Sequence, residues 1–335
     1  MNRKVVPVAA AVVAIAAITT LTAVKIASPV QCQPDPSAQI AALPAGGTFT
    51  GSGCYTVPNG IRITKSVTLD GGTYIDPSNT PPAKGSFKPV IQAYETQGVT
   101  LENLAVQGGN PNGGYHGSLV GQSGIELISS SDVVISNVST SQTFGDGLEL
   151  WANVPKNKTP NANVTVDGLT VNTAGRDGIS PSNVTDSTFT NVSIGATGLV
   201  GVNLESDIKG IGAGNVTFAN STWTGTYVQE ALTGPVNFTS DTLRGHVVIR
   251  THVPVAYPIT FNGGSLAIGH WTIPGVEVQG PTGATFSGMT FTHQPANKYG
   301  PMWSATNGAN LTFLRCSLIP PLGTNDSTST VTVIP

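Results

Sequence analysis

The chain has 335 residues, of which only 10% are charged, while 40 are Gly and 24 are Pro. This balance, rich also in Thr, Ser, Asn and Val, is typical of an all-β protein with many turns. The formal charge of −3 becomes −6 when residues 1–27 are set aside, because that segment holds three basic residues and no acidic one. Such a surface argues against nucleic acid as a partner.

Residues 1–27 begin with a basic stretch and continue as an apolar run from Val5 to Val24. The run is about 20 residues, long for the core of a signal peptide and long enough to cross a bilayer. We therefore predict a signal peptide or a membrane anchor, and the two alternatives stay open. Both make the rest of the chain secreted or extracytoplasmic, with membrane contact only through this segment.

Residues 28–55 precede the repeats and are interpreted as an N-terminal cap. They contain Cys32 and Cys54, which an exported chain would carry into an oxidising compartment. We predict a disulfide between them, with two free buried thiols as the alternative. The chain has no His/Cys cluster, so no structural zinc or other metal site is predicted.

Residues 56–335 contain ten copies of a short phrase, usually an apolar–polar–apolar triplet followed by a turn, spaced 20 to 34 residues apart. The copies are Val67-Thr68-Leu69, Val99-Thr100-Leu101, Val133-Val134-Ile135, Val164-Thr165-Val166, Val184-Thr185-Asp186, Val216-Thr217-Phe218, Val236-Asn237-Phe238, Ile259-Thr260-Phe261, Ala284-Thr285-Phe286 and Leu311-Thr312-Phe313. Alternation with period 2 indicates β-strands, and a recurring strand-turn unit indicates a solenoid. Because no unit buries its apolar face alone, the units must stack into one core of about ten coils.

A second element recurs between the triplets, often as glycine, apolar, polar, apolar, as in Gly124–Leu127 and Gly147–Leu150. If each coil contributes one such strand, the strands form a parallel sheet in register. Alternation then places one polar set outward, on a surface that we call the ladder face. Its predicted members are Glu126, Glu149, Ser180, Asn203, Gln229, Val248 and Glu277.

These triplets, together with two Asp-Gly-Ile/Leu strands at 144–148 and 176–179, resemble the right-handed parallel β-helix proteins of the pectin-lyase-like superfamily. The resemblance covers about residues 55–330. It implies an all-β, single-domain right-handed parallel β-helix after the N-terminal apolar segment. It also implies an acidic or neutral polysaccharide as the substrate, with the site on the sheet that carries the Asp-Gly strands.

The candidate catalytic residues are Asp146, Asp177 and Glu149. The two aspartates occupy the same place in consecutive coils, so they should lie about one strand spacing apart and raise each other's pKa. An acid and a base together are what glycoside hydrolysis requires. Strict alternation turns Asp146 inward unless the chain bends at Gly147. The alternative is that stacked aspartates cap backbone amides.

Four further residues are substrate-binding candidates beside these carboxylates. Arg176 can lower the pKa of its acidic neighbours or bind a sugar carboxylate in bidentate fashion, unless it is a solvated turn residue. Asn203 and Glu205 lie on the next coil. Trp151 follows the Glu149 strand and offers an aromatic platform for a sugar ring, with a packing residue of the core as the alternative.

Three more substrate-binding candidates are less closely tied to the carboxylates. Tyr115 lies in a Gly-rich insertion. Gly245-His246-Val247 and Ile249-Arg250-Thr251 follow one another as the Gly-His-Gly and Arg-Ile-Lys motifs do in the polygalacturonases of the superfamily. The Asp-Asp pair of those enzymes is replaced by Asn203-Leu204-Glu205, and His246 has the alternative reading of an ordinary ladder residue.

The sequence therefore predicts an exported carbohydrate-active protein, a polysaccharide hydrolase or lyase acting at the ladder face. The alternative is a non-catalytic glycan-binding, adhesin or tail-fibre-like surface protein. Both readings have a polysaccharide or surface glycan as the partner. No cofactor follows from the motifs, although calcium stays an open alternative, and the oligomeric state is not fixed by the sequence.

Overall fold

The computed structural model describes residues 31–335 except 82, 84–87, 116–118, 120, 154–158, 206–210, 230–231, 252–256, 269–273, 294–300 and 318–322. The predicted signal peptide or anchor, at residues 1–27, lies outside the described residues. Among those described, no helix has the length and apolar character needed to cross a membrane.

Cys32–Pro335 forms one compact unit of parallel β-strands. In the described residues, one short helix, α1 (Ser37–Ala42), precedes 32 strands, which are numbered along the chain. The strands wind into coils and form three rows, of which the second and third belong to one continuous sheet. The predicted all-β parallel β-helix is thereby confirmed.

The first row, the triplet row, carries the apolar triplets. It consists of β1 (Gly47–Thr50), β4 (Val67–Asp70), β7 (Thr100–Glu102), β10 (Val134–Ser136), β13 (Asn161–Ala162), β14 (Thr165–Asp167), β17 (Val184–Thr190), β20 (Gly214–Ala219), β22 (Val236–Thr239), β24 (Ile259–Asn262), β27 (Gly283–Ser287), β30 (Asn310–Leu314) and β32 (Thr330–Ile334).

The second row, the ladder row, carries the ladder face. It consists of β3 (Ile61–Ile63), β6 (Ile91–Tyr94), β9 (Ile125–Ile128), β12 (Leu148–Trp151), β16 (Ile179–Pro181), β19 (Val202–Glu205), the second halves of β21 (Thr222–Gln229) and β23 (Thr242–Arg250), β26 (Val276–Gln279), β29 (Trp303–Thr306) and β31 (Gly323–Asn325).

The third row joins the triplet row to the ladder row. It consists of β2 (Cys54–Thr56), β5 (Thr73–Ile75), β8 (Ala105–Gln107), β11 (Ser139–Ser141), β15 (Thr170–Ala174), β18 (Ser193–Thr197), the first halves of β21 and β23, β25 (Ser265–Ile268) and β28 (Thr290–His293).

All three rows face one continuous apolar interior. Within it, Phe189, Phe218, Phe238, Phe261, Phe286 and Phe313 form a stack. Ring centroids in the middle of the stack are 4.5 Å apart for Phe238 and Phe261 and 4.4 Å apart for Phe261 and Phe286. Because each fully buried apolar side chain contributes about 1.5–3 kcal/mol, this interior stabilises the coils far more than their surface contacts do.

A left-handed bend follows every strand of the triplet row from β4 to β30. Most of these bends are made by Gly or Asn, the residues that adopt a positive φ most readily. The bend residues are Gly71, Asn103, Asn137, Asn163, Gly168, Asn191, Asn220, Ser240, Gly263, Gly288 and Arg315. Neighbouring bends are joined by side chains, as where Asn137 Nδ2 donates to Asn103 Oδ1 at 3.0 Å.

One triplet register predicted from the sequence is wrong. Val184 pairs with the short strand β13, and the residues in line with the other triplets are Ser187-Thr188-Phe189. Ser187 occupies the inward position that an apolar residue holds elsewhere, because its hydroxyl accepts the N–H of Val164 at 2.9 Å and donates to Thr185 O at 2.7 Å.

The sequence also predicts that Gln229 lies beside Asn203 on the ladder face, and this register is wrong by two residues. Val202 pairs with Thr226, so Tyr227 lies opposite Asn203 and Gln229 lies opposite Glu205. Thr226 takes the inward position although it is polar, since its Oγ1 accepts the indole N–H of the buried Trp223 at 2.8 Å.

A disulfide joins Cys32 and Cys54 at the N-terminal end of the described unit, which is the pairing that the sequence predicts. The winding begins inside the range predicted as a cap, because β1 and β2 already pair with β4 and β5. The strands of the following coils then position the ladder face.

Candidate active site

The site begins with a row of glycines at the start of four ladder strands. Gly124, Gly147, Gly178 and Gly201 follow one another across the row through bonds such as Leu148 N to Gly178 O at 3.0 Å and Ile179 N to Gly201 O at 2.9 Å. Side chains have no room here. A Cβ on Gly147 would lie 2.6 Å from Val171 Cγ1, and one on Gly178 would lie 2.6 Å from Gly201 O.

Asp146 and Asp177 each precede one of these glycines and are stacked, as their position in consecutive coils predicts. The N–H of Asp177 donates to Asp146 Oδ1 at 2.9 Å, and the N–H of Val200 donates to Asp177 Oδ1 at 3.3 Å. Both side chains have no exposed surface. Each aspartate therefore caps a backbone amide of the next coil, whatever further role it has.

Arg176 covers the two buried aspartates. Its Nη1 lies 3.8 Å from Asp146 Oδ2 and its Nη2 lies 3.8 Å from Asp177 Oδ2, and the side chain is 13% exposed. Burial opposes the charge of this guanidinium, but the surrounding carboxylates outweigh burial and raise the pKa of Arg176. The arginine is held as the internal counterion of the group.

Glu126, Glu149 and Ser180 face outward from adjacent strands in register. Glu149 is 7% exposed, and the hydroxyl of Ser123 donates to its Oε2 at 2.5 Å. Glu126 accepts two N–H donors, Gln92 Nε2 at 2.5 Å and Trp151 Nε1 at 3.0 Å. The two glutamates thus share a surface but have different hydrogen-bond partners.

All four carboxyls of the group resist ionisation. Burial, and then the charge of Glu126, raises the pKa of Glu149 to about 7. Burial also raises the pKa of Glu126, although its bonds from Gln92 and Trp151 act against this. The pKa of Asp146 is raised well above its usual range by burial and by the charge of Asp177, and burial raises that of Asp177 against the Asn203 bond and Arg176.

Asn203 and Glu205 join this group from the next coil. Asn203 Nδ2 donates to Asp177 Oδ2 at 3.0 Å and to Glu205 Oε2 at 3.1 Å. Tyr115, which is 54% exposed, lies near the same edge, because a Cβ on Gly198 would lie 3.1 Å from Tyr115 Cβ. The predicted residues Asp146, Glu149, Trp151, Arg176, Asp177, Asn203 and Glu205 are therefore brought together.

His246 and Arg250 lie farther along the ladder row, on β23, with the strands β19 and β21 between them and the Asp177 strand. Arg250 forms an ion pair with Glu277, in which its Nη2 lies 2.9 Å from Glu277 Oε1. The ring centroids of His246 and Tyr227 are 5.2 Å apart, and burial lowers the pKa of His246. Two strands of the ladder row therefore separate these two candidates from the Asp177 strand.

Sequence reasoning placed Glu126 on the ladder face but missed it as a site residue, although its setting in Gly124-Ile125-Glu126 repeats that of Glu149 in Gly147-Leu148-Glu149. Ser123 and Gln92 carried no such signal, since a lone Ser or Gln marks no chemistry by itself. In the described part of the chain, no group of three or more His, Cys, Asp or Glu is arranged to hold a metal ion. Calcium stays an open alternative.

The coils and the ladder face define the fold as a parallel β-helix. No family model and no curated protein matches the chain. Among solved structures, a tailspike protein of Pseudomonas phage LKA1 has a TM-score of 0.50 and 13% identity, covering 86% of this chain. This chain spans 50% of the length of that tailspike.

Two further structures are similar at lower TM-scores. An endo-xylogalacturonan hydrolase from Aspergillus tubingensis has a TM-score of 0.49 and 13% identity, covering 86% of this chain and 83% of its own. A surface protein and adhesin of Streptococcus pneumoniae has a TM-score of 0.47 and 11% identity, and the match covers 89% of this chain and 94% of the adhesin. At such low identity, likeness extends to the fold alone.

Proposed function

We propose that this protein is a polysaccharide hydrolase whose substrate lies across the ladder face at Glu149. The observation that carries the proposal is the position and the protonation of that glutamate. It reaches the outer face, and its pKa of about 7 leaves a large share of it protonated near neutral pH. A positioned carboxylic acid of this kind can protonate the oxygen of a glycosidic bond as the bond breaks.

The second carboxylate of the reaction is Asp177. Burial raises the pKa of Asp177, and three groups act against this and favour its ionised form in part, namely the amide of Asn203, the N–H of Val200 and the guanidinium of Arg176. Hydrolysis needs such a partner, either to activate water or to stabilise positive charge on the sugar. Asp146 acts through Asp177 as a positioning residue, because its Oδ1 holds the Asp177 N–H.

The test is incubation of the protein with a panel of neutral and acidic polysaccharides, reading both reducing ends and the ultraviolet absorbance of unsaturated products. We expect reducing ends without unsaturated products from at least one polysaccharide. Glu149→Gln and Asp177→Asn should each lower the rate by about 10²-fold or more. Glu102→Gln, a carboxylate of the triplet row on β7, is the matched control and should leave the rate unchanged.

Two outcomes contradict the proposal. Cleavage that survives both Glu149→Gln and Asp177→Asn in folded protein would remove these residues from the reaction. Unsaturated products would make the protein a lyase instead. Circular dichroism of each variant separates a lost reaction from a lost fold.

A non-catalytic glycan-binding module is the second candidate, and one observation favours it. The Asp146 and Asp177 side chains have no exposed surface, and each already caps a backbone amide. In that case a glycan of the panel binds the protein, while neither reducing ends nor unsaturated products appear from any glycan that binds.

A further inference from the structure

A strip of apolar side chains runs beside the carboxylates on the ladder face. Tyr94 and Trp151 are both Cα partners of Ile128, so the three lie side by side on β6, β9 and β12. They are two residues along their strands from Gln92, Glu126 and Glu149 and therefore point to the same outer face. Ile128 is only 3% exposed and yet lies outside the interior cluster.

The Tyr94 end of the strip is held in place by polar contacts. Asn153 Nδ2 donates to the Tyr94 hydroxyl at 2.6 Å and to Glu95 Oε1 at 2.6 Å, and the Asn153 N–H donates to Ser129 Oγ at 2.8 Å. These bonds tie together the ends of three neighbouring strands. The guanidinium of Arg62 lies 3.7 Å from the centroid of the Tyr94 ring. A surface fixed in this way loses little entropy when a ligand binds.

The other end of the strip is joined to the carboxylates. Trp151 donates its indole N–H to Glu126 Oε1 at 3.0 Å, and Glu126 is the in-register neighbour of Glu149. A chain-like ligand lying along β12, across the ladder row, would therefore meet Trp151 and Glu149 with adjacent units, since the two residues are about 7 Å apart along the strand.

We propose that Tyr94 and Trp151, with Ile128 packed between them, form a binding subsite for a neutral pyranose unit of the glycan, next to the reacting bond. This deepens the proposed function and rests on it. Flat aromatic and aliphatic side chains match the apolar C–H face of a pyranose ring, and the amides at the border suit its hydroxyl groups.

The charge of the border argues for a neutral unit rather than a uronate. The carboxylates of Glu95 and Glu126 flank the strip, and a sugar carboxylate beside them would be repelled. Arg62, whose guanidinium lies over the Tyr94 ring, offsets only part of this negative charge. A neutral ring avoids this repulsion and still uses the apolar surface.

The experiment measures binding to the Glu149→Gln protein, in which turnover is suppressed, by isothermal calorimetry. The probes are hexasaccharides of β-1,4-linked glucose, β-1,4-linked mannose, α-1,4-linked galacturonate and β-1,4-linked mannuronate. We expect a neutral hexasaccharide to bind more tightly than either uronate. Trp151→Ala and Tyr94→Ala, each added to that protein, should weaken this binding about tenfold.

Two conservative changes separate the apolar surface from the hydrogen bonds. Trp151→Phe keeps a ring but loses the donor to Glu126, and Tyr94→Phe keeps the ring but loses the partner of Asn153. Both should bind the neutral probe more tightly than the corresponding alanine variants. Tyr257→Ala, which removes an exposed aromatic residue outside the strip, is the matched control and should not change binding.

Preferential binding of a uronate, no binding of either neutral probe, or unchanged binding by folded Trp151→Ala and Tyr94→Ala proteins would each overturn the subsite. Failure of the proposed function looks different. If the neutral probe binds through the strip but the unaltered protein cleaves no polysaccharide, the subsite stands and the hydrolase does not. If cleavage is seen with a KM that neither alanine variant changes, the hydrolase stands and the subsite does not.

Discussion

Glu126 and Glu149 lie side by side in register on adjacent strands, and the charge of Glu126 disfavours the ionisation of Glu149. Glu126 accepts two N–H donors, whereas Glu149 accepts a hydroxyl. Two N–H donors stabilise the anion of Glu126 more than one hydroxyl stabilises that of Glu149, so the proton of the pair resides mainly on Glu149. The pH behaviour of the protein should report this asymmetry.

The rate of polysaccharide cleavage should fall as the pH rises above about 7, where Glu149 loses its proton. Glu126→Gln removes the neighbouring charge, so it should move this alkaline limb to lower pH, by about half a unit to one unit. The measurement is kcat/KM against pH for both proteins. Glu277→Gln, also on the ladder face but remote, is the control. An alkaline limb that stays in place in Glu126→Gln would contradict the pairing.

Stability should also depend on the protonation of Glu149. An unfolded glutamate has a pKa of about 4.3, and the folded value is about 7, so the folded chain binds more protons between these values. Its stability therefore falls as the pH rises through this window and stays lower above it. Glu149→Gln should stabilise the protein by roughly 3–4 kcal/mol at pH near 8 and by little at pH near 4.

Thermal unfolding of both proteins at the two pH values measures this difference. Glu102→Gln, whose carboxyl lies on the triplet row, serves as the control for a change of net charge. An equal effect of Glu149→Gln at both pH values would show that its carboxyl is not desolvated in the folded chain.

Gly178→Ala should destabilise the coils by about 1–3 kcal/mol, because its Cβ would collide with Ile194 Cγ2 and with the carbonyl oxygen of Gly201. Gly283→Ala is a matched control on β27, where the closest atom to a new Cβ, Asn310 O, is 3.6 Å away. That change should be neutral or slightly stabilising. Urea unfolding of both variants tests the prediction, and an equal loss in the two would contradict it.

Phe261→Ala should lower the free energy of unfolding by about 3–5 kcal/mol, since the ring is stacked on both sides and fully buried. Phe261→Leu retains most of the volume and should cost less. Denaturant unfolding of the two variants gives the comparison. Equal losses would mean that ring stacking, rather than filled volume, dominates at this position.

The fold could be predicted because each triplet carries its own strand period and turn. The prediction failed where polar residues took inward positions, at Ser187 and Thr226, since the partners that satisfy them come from elsewhere in the fold. Asp146 and Asp177 could be paired because one motif repeats in consecutive coils.

The rest of the candidate site could not be predicted in the same way. The bonds that Glu126 receives from Gln92 and Trp151 come from residues 34 and 25 positions away. No local pattern in the sequence encodes contacts of that kind. Side-chain exposure, which sets Glu149 apart from Asp146 and Asp177, likewise follows from packing.

The left-handed bend after each triplet-row strand from β4 to β30 fixes that corner of the coil in the same way, whatever length of chain follows. Residues can therefore be inserted or deleted between a ladder strand and the next triplet strand without altering this corner. Recognition of a new carbohydrate can then evolve, or be engineered, by exchanging the segments between a ladder strand and the next triplet strand while the strands themselves stay unchanged.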